Sequence, residues 1–156
     1  MKIKDYITLL NGVAGFFGII LSLQGNQIAP LYIIPALIFD FLDGRFARRA
    51  KPDFFGKELD SLSDVVSFIV APAVIVYVFA PNPLVFIALI FYICSGLVRL
   101  ARFNVQKEKG VFFGLPSPLA AVIVLAVFLL NNPLLMIISL LAVGFFMTSG
   151  FKIKKI

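Results

Sequence analysis

The chain has 156 residues, a formal net charge of +6 and a mean hydropathy of +1.04. Only 14% of its residues are charged, against about a quarter in soluble domains. It contains no histidine and a single cysteine, Cys94. These values predict one domain, residues 1–156, of a polytopic membrane protein. They exclude imidazole chemistry, cysteine clusters and an intramolecular disulfide.

Apolar stretches recur along the whole sequence, separated by short turns rich in Gly, Asn and Pro. A transmembrane helix needs about 20 mostly apolar residues. We therefore predict an all-α integral membrane protein with six transmembrane helices, at residues 5–24, 28–48, 58–80, 83–104, 116–131 and 133–150.

The basic residues are unevenly distributed over this pattern. All 14 lie near the N-terminus or within 45–57, 99–109 and 152–155. With six spans, these regions fall on one side of the membrane, which the excess of Lys and Arg marks as cytoplasmic. We expect both termini to be cytoplasmic. The positive charge is better explained by this rule and by anionic lipids than by a nucleic-acid partner.

Four aspartates dominate the second and third predicted helices. Asp40 and Asp43 are three residues apart and Asp60 and Asp64 are four apart, so each pair shares a helix face. Asp40 would lie about 18 Å, and Asp64 about 24 Å, from the outer ends of their helices. Because the connection between the helices is short, we expect them to be antiparallel neighbours. The four carboxylates would then converge in the cytoplasmic half of the membrane.

Four carboxylates in a low dielectric must become protonated, pair with cations or bind metal. Ligand sets made only of oxygen select Mg²⁺, Mn²⁺ or Ca²⁺, and two divalent ions would balance the four charges. Paired metals suit displacement at phosphorus. The alternative is a solvated charge cluster, paired with Arg45, Arg48 and Lys57. Nearby small residues either leave room for a ligand or allow close helix packing; they are Gly44, Ala47 and Gly56.

The spacing of these residues resembles the signature of the CDP-alcohol phosphatidyltransferase family. Eight positions over 25 residues match it: Asp40, Asp43, Gly44, Ala47, Arg48, Gly56, Asp60 and Asp64. The resemblance implies a six-helix transmembrane domain, usually a homodimer, whose site opens to the cytoplasm and the membrane. It also implies a CDP-lipid donor with acyl or ether chains (CDP-diacylglycerol or CDP-archaeol) and two divalent metals.

The same resemblance implies roles for individual residues. Asp40, Asp43, Asp60 and Asp64 would bind metal, and Asp64 would also take the proton of the acceptor. Gly44, Ala47, Arg48 and Gly56 would line the CDP site, together with Asp43 and Asp60. Thr8 and Asn11, on the first helix, would contact the nucleotide. For these two residues, a hydrogen bond that packs helices together is an equally good interpretation.

A second group of polar residues lies at the cytoplasmic end of the fourth helix and the start of the fifth. Arg99, Arg102 and Asn104 fall in "RLARFN", and Ser117 falls in "FFGLPSP". Both stretches are similar to those of the phosphatidylserine synthase branch of the family. L-Serine would bring a carboxylate for arginine and a hydroxyl to attack phosphorus. The alternative is that the arginines only anchor the protein at the membrane surface.

Other functions compatible with the sequence remain. The acceptor alcohol could be glycerol 3-phosphate or an inositol phosphate, because arginine also binds phosphate. A divalent-cation transporter is an alternative from another class. Transporter sites usually lie near the membrane midplane between repeats, whereas these acids lie towards one side and no repeat is visible. A purely structural protein would have no reason to hold four acids in lipid.

Overall fold

A computed structural model describes residues 3–47, 54–105, 111–149 and 152–154. Its α-helices are α1 (Ile3–Leu23), α2 (Ile33–Ala47), α3 (Phe54–Asp64), α4 (Ala71–Phe79), α5 (Pro83–Val105), α6 (Ser117–Phe128) and α7 (Pro133–Thr148). A 3₁₀ turn, Ala29–Tyr32, precedes α2, and a stretch of π-helix, Val65–Val70, joins α3 to α4. Two short strands, β1 (Val111–Phe113) and β2 (Lys152–Lys154), pair in antiparallel fashion.

In the described part of the chain, three helical stretches are long and apolar enough to cross a membrane: Lys4–Leu23, Phe54–Phe79 (α3, the π-helical stretch and α4) and Pro83–Val105. Helices α6 and α7 are apolar but have only 12 and 16 residues. The second predicted span is divided between the 3₁₀ turn, which contains Pro30, and the 15 residues of α2. The number of spans therefore stays a prediction, while the helical character of the chain is as expected.

The π-helical stretch Val65–Val70, called the π segment below, lies where the two buried clusters of the protein meet. One cluster is built mainly by α5, α6 and α7 and includes Ile69. The other is built mainly by α1, α2 and α4 and includes Phe68. The π segment also packs directly against α1, α2, α5 and α6. A change in its shape would therefore be transmitted to most of the helices.

The outer surface of this bundle is strongly apolar. Phe17, Leu84 and Leu134 are each more than 60% exposed, and many other large apolar side chains also face outward. Soluble monomers rarely expose large continuous apolar patches. Contact with lipid explains this surface.

The two-stranded ribbon is an addition to the predicted all-helical fold. It pairs Phe112 with Ile153 and so brings the end of the chain beside the approach to α6. Gly114 follows β1 with a φ of +72°. A Cβ atom there would lie 2.5 Å from the carbonyl oxygen of Met147, so this crossing next to α7 requires glycine.

Candidate active site

Three of the four predicted aspartates form a close cluster. One carboxylate oxygen from each of Asp40, Asp60 and Asp64 lies within 4.8 Å of the other two. Helix α2 supplies the first, and α3 supplies the other two from positions one turn apart. Within the described ranges, no lysine or arginine nitrogen comes within 4.0 Å of these three carboxylates. Their mutual repulsion is therefore not relieved by a described ion pair, and an oxygen-rich site for a hard cation fits this arrangement.

Asp43 lies beside this cluster rather than within it. Its side chain is buried, and one of its carboxylate oxygens accepts a hydrogen bond from the hydroxyl of Thr8. Its charge still interacts with that of Asp60. The aspartates thus form a group of three with a fourth next to it, and α1 determines where the fourth one points.

One face of α1 supplies further polar groups to the site. The side-chain N–H of Asn11 donates a hydrogen bond of 3.2 Å to the carboxylate of Asp64. The side-chain oxygen of Asn11, Oδ1, is buried without a partner among the described residues. Both Thr8 and Asn11 are almost completely buried. The two predicted nucleotide contacts therefore touch the aspartates directly, a position from which they can orient these carboxylates.

Two neighbouring residues of α1 were missed by the sequence analysis. Asp5 is 1% exposed, and the Lys4 ammonium lies 3.9 Å from its carboxylate. The charges of both residues interact with that of Asp43. Asp5, Thr8 and Asn11 are spaced three apart, which places them on one helix face. That spacing was the signal that could have revealed Asp5.

The two glycines of the signature have different surroundings. Among the described residues, no atom outside the local helix lies within 4 Å of where a Cβ of Gly44 would stand, so the described structure leaves open space beside α2 at this point. A Cβ on Gly56 would instead collide with the Lys4 ammonium and lie 3.3 Å from Asp5. Of the two interpretations offered for these small residues, the surroundings of Gly44 support space for a ligand. Those of Gly56 support close packing of α3 against α1. Of the remaining signature residues, Arg48 and the side chain of Ala47 lie outside the described part of the structure.

Arg99 of α5 and Ser117 of α6 contact each other. Arg99 is only 9% exposed, and its guanidinium donates a hydrogen bond to the Ser117 hydroxyl. The charge of Arg99 also interacts with that of Asp64. Its Nε–H has no hydrogen-bond partner among the described residues. A buried guanidinium with an unused donor beside the acid cluster is suited to binding a small anionic group.

Arg102 and Asn104, predicted together with Arg99, have other partners. Arg102 is exposed and donates to the carbonyl of Thr148 at the end of α7 over 2.8 Å. Asn104 accepts from Ser61 and donates to Glu58, at 2.9 and 3.0 Å. These contacts tie the end of α5 to α7 and α3. Of the four predicted acceptor residues, Arg99 is the one whose charge interacts with that of a cluster aspartate in the described structure, and Ser117 contacts Arg99.

Comparison with known proteins agrees with this geometry. A family model described as CDP-alcohol phosphatidyltransferase matches residues 1–148. A CDP-diacylglycerol–serine O-phosphatidyltransferase of Methanocaldococcus jannaschii is 42% identical, over 99% of this chain and 75% of its own length. One of the same name from Bacillus subtilis is 35% identical, over 94% of this chain and 86% of its own length.

An archaetidylserine synthase of Methanothermobacter thermautotrophicus is 39% identical, over 83% of this chain but only 58% of its own length. The family match covers the aspartate signature and all seven α-helices. With its apolar helices, the chain is an integral membrane protein, and the predicted resemblance is confirmed. This chain belongs to the CDP-alcohol phosphatidyltransferase family.

Proposed function

We propose that this enzyme transfers the lipid phosphate group of a CDP-lipid to the hydroxyl of L-serine and releases CMP. The observation that carries the proposal is the buried Arg99–Ser117 pair, whose guanidinium keeps an N–H donor without a partner among the described residues. The protein thus offers a candidate anion-binding group in addition to the cluster of Asp40, Asp60 and Asp64. The relatives named for serine or archaetidylserine transfer support the same acceptor.

The aspartates are the proposed metal ligands. Asp40, Asp60 and Asp64 would hold one or both of two divalent cations, with Asp43 completing the set. Their oxygen donors suit Mg²⁺ or Mn²⁺, and Ca²⁺ could also bind. When bound, such ions neutralise charge on the diphosphate and stabilise the departing phosphate of CMP.

The donor would be CDP-diacylglycerol or CDP-archaeol, bound between α1, α2 and α3. The open space beside Gly44 supports a nucleotide site there. Thr8, Asn11, Ala47, Arg48 and Gly56 are the other proposed donor contacts. The lipid tails would remain in the membrane. We further propose that the six-span topology places this site and both termini on the cytoplasmic side, and that the protein is a homodimer.

Asp64 is the proposed general base. The serine hydroxyl attacks the phosphorus that carries the lipid, the bond from this phosphorus to the CMP oxygen breaks, and Asp64 takes the hydroxyl proton. Asn11 holds the carboxylate of Asp64 in place through its amide. Arg99 would bind the carboxylate of serine, and Ser117 would hold the guanidinium in position. Arg102 and Asn104 would contribute at the outer edge of the acceptor site.

A panel of acceptor alcohols tests this proposal. Purified protein in detergent is given CDP-lipid, Mg²⁺ or Mn²⁺ and one acceptor, and CMP release is measured. We expect release to depend on L-serine and to stop on chelation of the metal. Release that depends on glycerol 3-phosphate or inositol phosphate instead would assign another acceptor. Cation flux in proteoliposomes without any CMP release would assign a transporter.

Replacement of the base provides a separate test. Asp64→Asn keeps the shape of the side chain and one oxygen ligand but removes the proton acceptor. We expect turnover to fall by about two orders of magnitude or more, while CDP-lipid binding in the presence of metal stays measurable. Donor affinity and CMP release are measured on the same preparation. Turnover near that of the parent would show that another group takes the proton.

A further inference from the structure

The π segment begins immediately after the proposed base, Asp64. Its N–H groups bond five residues back rather than four; the N–H of Ala71, for example, donates to the carbonyl of Val66. The next residue is Pro72, which has no N–H to donate and whose ring would collide with the carbonyl four residues earlier. The proline therefore explains why the helix widens just before this point.

Two buried tyrosines bond to carbonyl groups of the widened helix. The hydroxyl of Tyr32 donates to the carbonyl of Ser67, and that of Tyr92 donates to the carbonyl of Phe68, each over 2.6 Å. Tyr32 ends the 3₁₀ turn before α2, and Tyr92 lies in the middle of α5. Both are almost completely buried. The π segment is thus held by hydroxyl groups from two separate parts of the fold.

A third contact links this region to the site. The hydroxyl of Ser67 lies 2.9 Å from the carbonyl of Asn11, the residue whose side chain bonds to Asp64. Gly15, one turn further along α1, lets the two backbones approach closely. A Cβ on that glycine would lie 2.6 Å from Cα of Ser67. The geometry of the π segment is therefore coupled to both ends of the Asn11–Asp64 hydrogen bond.

The direction of Asp64 depends on this geometry. Each residue of an α-helix corresponds to a rotation of about 100° about the helix axis. A change of the π segment to α-helical winding would therefore rotate α3 and α4 relative to each other. Helix α4 is held in the core by Ile75 and Val76, which are fully buried. The rotation would therefore fall on α3 and would move Asp60 and Asp64 relative to Asp40.

We infer that Tyr32 and Tyr92 are positioning residues, which set the direction of the Asp64 carboxylate by holding the carbonyl groups of the π segment. The inference rests on the proposed function, in which Asp64 is the base. Neither tyrosine has to touch a substrate for this role.

Removal of single hydroxyl groups tests the inference. Tyr32→Phe and Tyr92→Phe each keep the ring and lose one hydrogen bond. Tyr77→Phe is the matched control, because Tyr77 is 48% exposed on α4 and its hydroxyl has no hydrogen bond among the described residues. Rates are expressed per mole of protein that binds CDP-lipid, so that loss of folded protein does not count.

We expect kcat to fall about tenfold or more in each of the two variants, with a KM for CDP-lipid within twofold of the parent and no change in the control. The second part of the test repeats the substitutions in Asp64→Asn protein. There the tyrosine changes should cost less than twofold, because no base remains to be positioned.

Two results would overturn the inference. One is a kcat within twofold of the parent for both tyrosine variants. The other is an equal loss in the parent and Asp64→Asn backgrounds, which would indicate a general structural defect. Where Tyr92→Phe does not yield folded protein, Tyr32→Phe decides the question. The proposal that Asp64 is the base is tested separately: it is wrong if the single variant Asp64→Asn turns over as fast as the parent.

Discussion

The proposed donor side and the proposed acceptor side of the site are built in different ways. On the donor side, Asp40, Asp60 and Asp64 come from two helices that follow one another closely in sequence. On the acceptor side, Arg99 and Ser117 come from α5 and α6 and meet although 17 residues, β1 among them, separate the two in sequence. The first arrangement follows from helical periodicity, and the second depends on how distant helices pack.

The two sides also differ in charge. The proposed donor side gathers carboxylates whose mutual repulsion a cation would relieve, whereas the proposed acceptor side presents a buried guanidinium. Asp64 links the two sides, since it belongs to the cluster and its charge also interacts with that of Arg99. A substitution on the donor side should therefore lower CMP release equally with every acceptor alcohol. A substitution on the acceptor side should change the KM for serine and leave the KM for CDP-lipid unchanged.

The largest effect is expected for Asp40→Ala, on the donor side. It removes one oxygen ligand from the cluster and leaves the ligand set incomplete. We expect CMP release to fall by about two or more orders of magnitude with any acceptor, and metal-dependent CDP-lipid binding to be lost as well. Metal titration of donor binding, followed in detergent, measures both.

A matched control for Asp40→Ala is Glu58→Gln. Glu58 lies on α3, is not one of the three clustered carboxylates and accepts a hydrogen bond from Asn104, which the amide oxygen of glutamine can also accept. The change removes an acidic charge but no proposed ligand, so we expect activity within about threefold of the parent, as for most surface substitutions. Equal losses in the two variants would remove the distinction between cluster acids and other acids of α3.

An intermediate effect is expected on the acceptor side, where Arg99 and Arg102 offer a direct comparison. Arg99→Lys keeps the charge but loses the planar fork that binds a carboxylate through two N–H groups. We expect the KM for serine to rise about 10- to 100-fold, in line with loss of a charged hydrogen bond, and the KM for CDP-lipid to stay within about threefold.

Arg102→Lys is the comparison variant, because Arg102 is exposed, bonds to the backbone of Thr148 and would contribute only at the outer edge of the proposed acceptor site. It should change the KM for serine by less than about threefold. Initial rates at varied serine and at varied CDP-lipid separate the two arginines. Similar increases in both variants would mean that the difference in burial does not distinguish an acceptor contact from a structural one.

The smallest effect is expected for Thr8→Val, which tests the residue next to the donor cluster. Valine has nearly the same shape as threonine but cannot donate to Asp43. We expect the metal concentration for half-maximal activity to rise about two- to tenfold, as for loss of one hydrogen bond. Thr8→Ser keeps the hydroxyl and should behave like the parent. An unchanged metal requirement in Thr8→Val would show that Asp43 is held in place without Thr8.

Several features could be predicted from the amino-acid sequence alone. The spacing of Asp40, Asp43, Asp60 and Asp64 places each pair on one helix face, and the hydropathy of the chain indicates a membrane environment. The signature residues identified the family, which the match over residues 1–148 confirms. These features are local, because helical periodicity relates residues three and four apart whatever surrounds the helix.

Other features were decided by the tertiary structure. Arg99 and Arg102 look alike in sequence, and only the folded protein buries Arg99 against Ser117 and leaves Arg102 exposed at the end of α7. Asp43 lies outside the group of three aspartates and instead accepts a hydrogen bond from Thr8, on a different helix. Pro72 interrupts regular hydrogen bonding locally, but the carbonyls of the π segment meet Tyr32 and Tyr92 only in the folded protein. Periodicity shows which residues share a face of a helix, whereas the partner of that face depends on contacts between residues far apart in the chain.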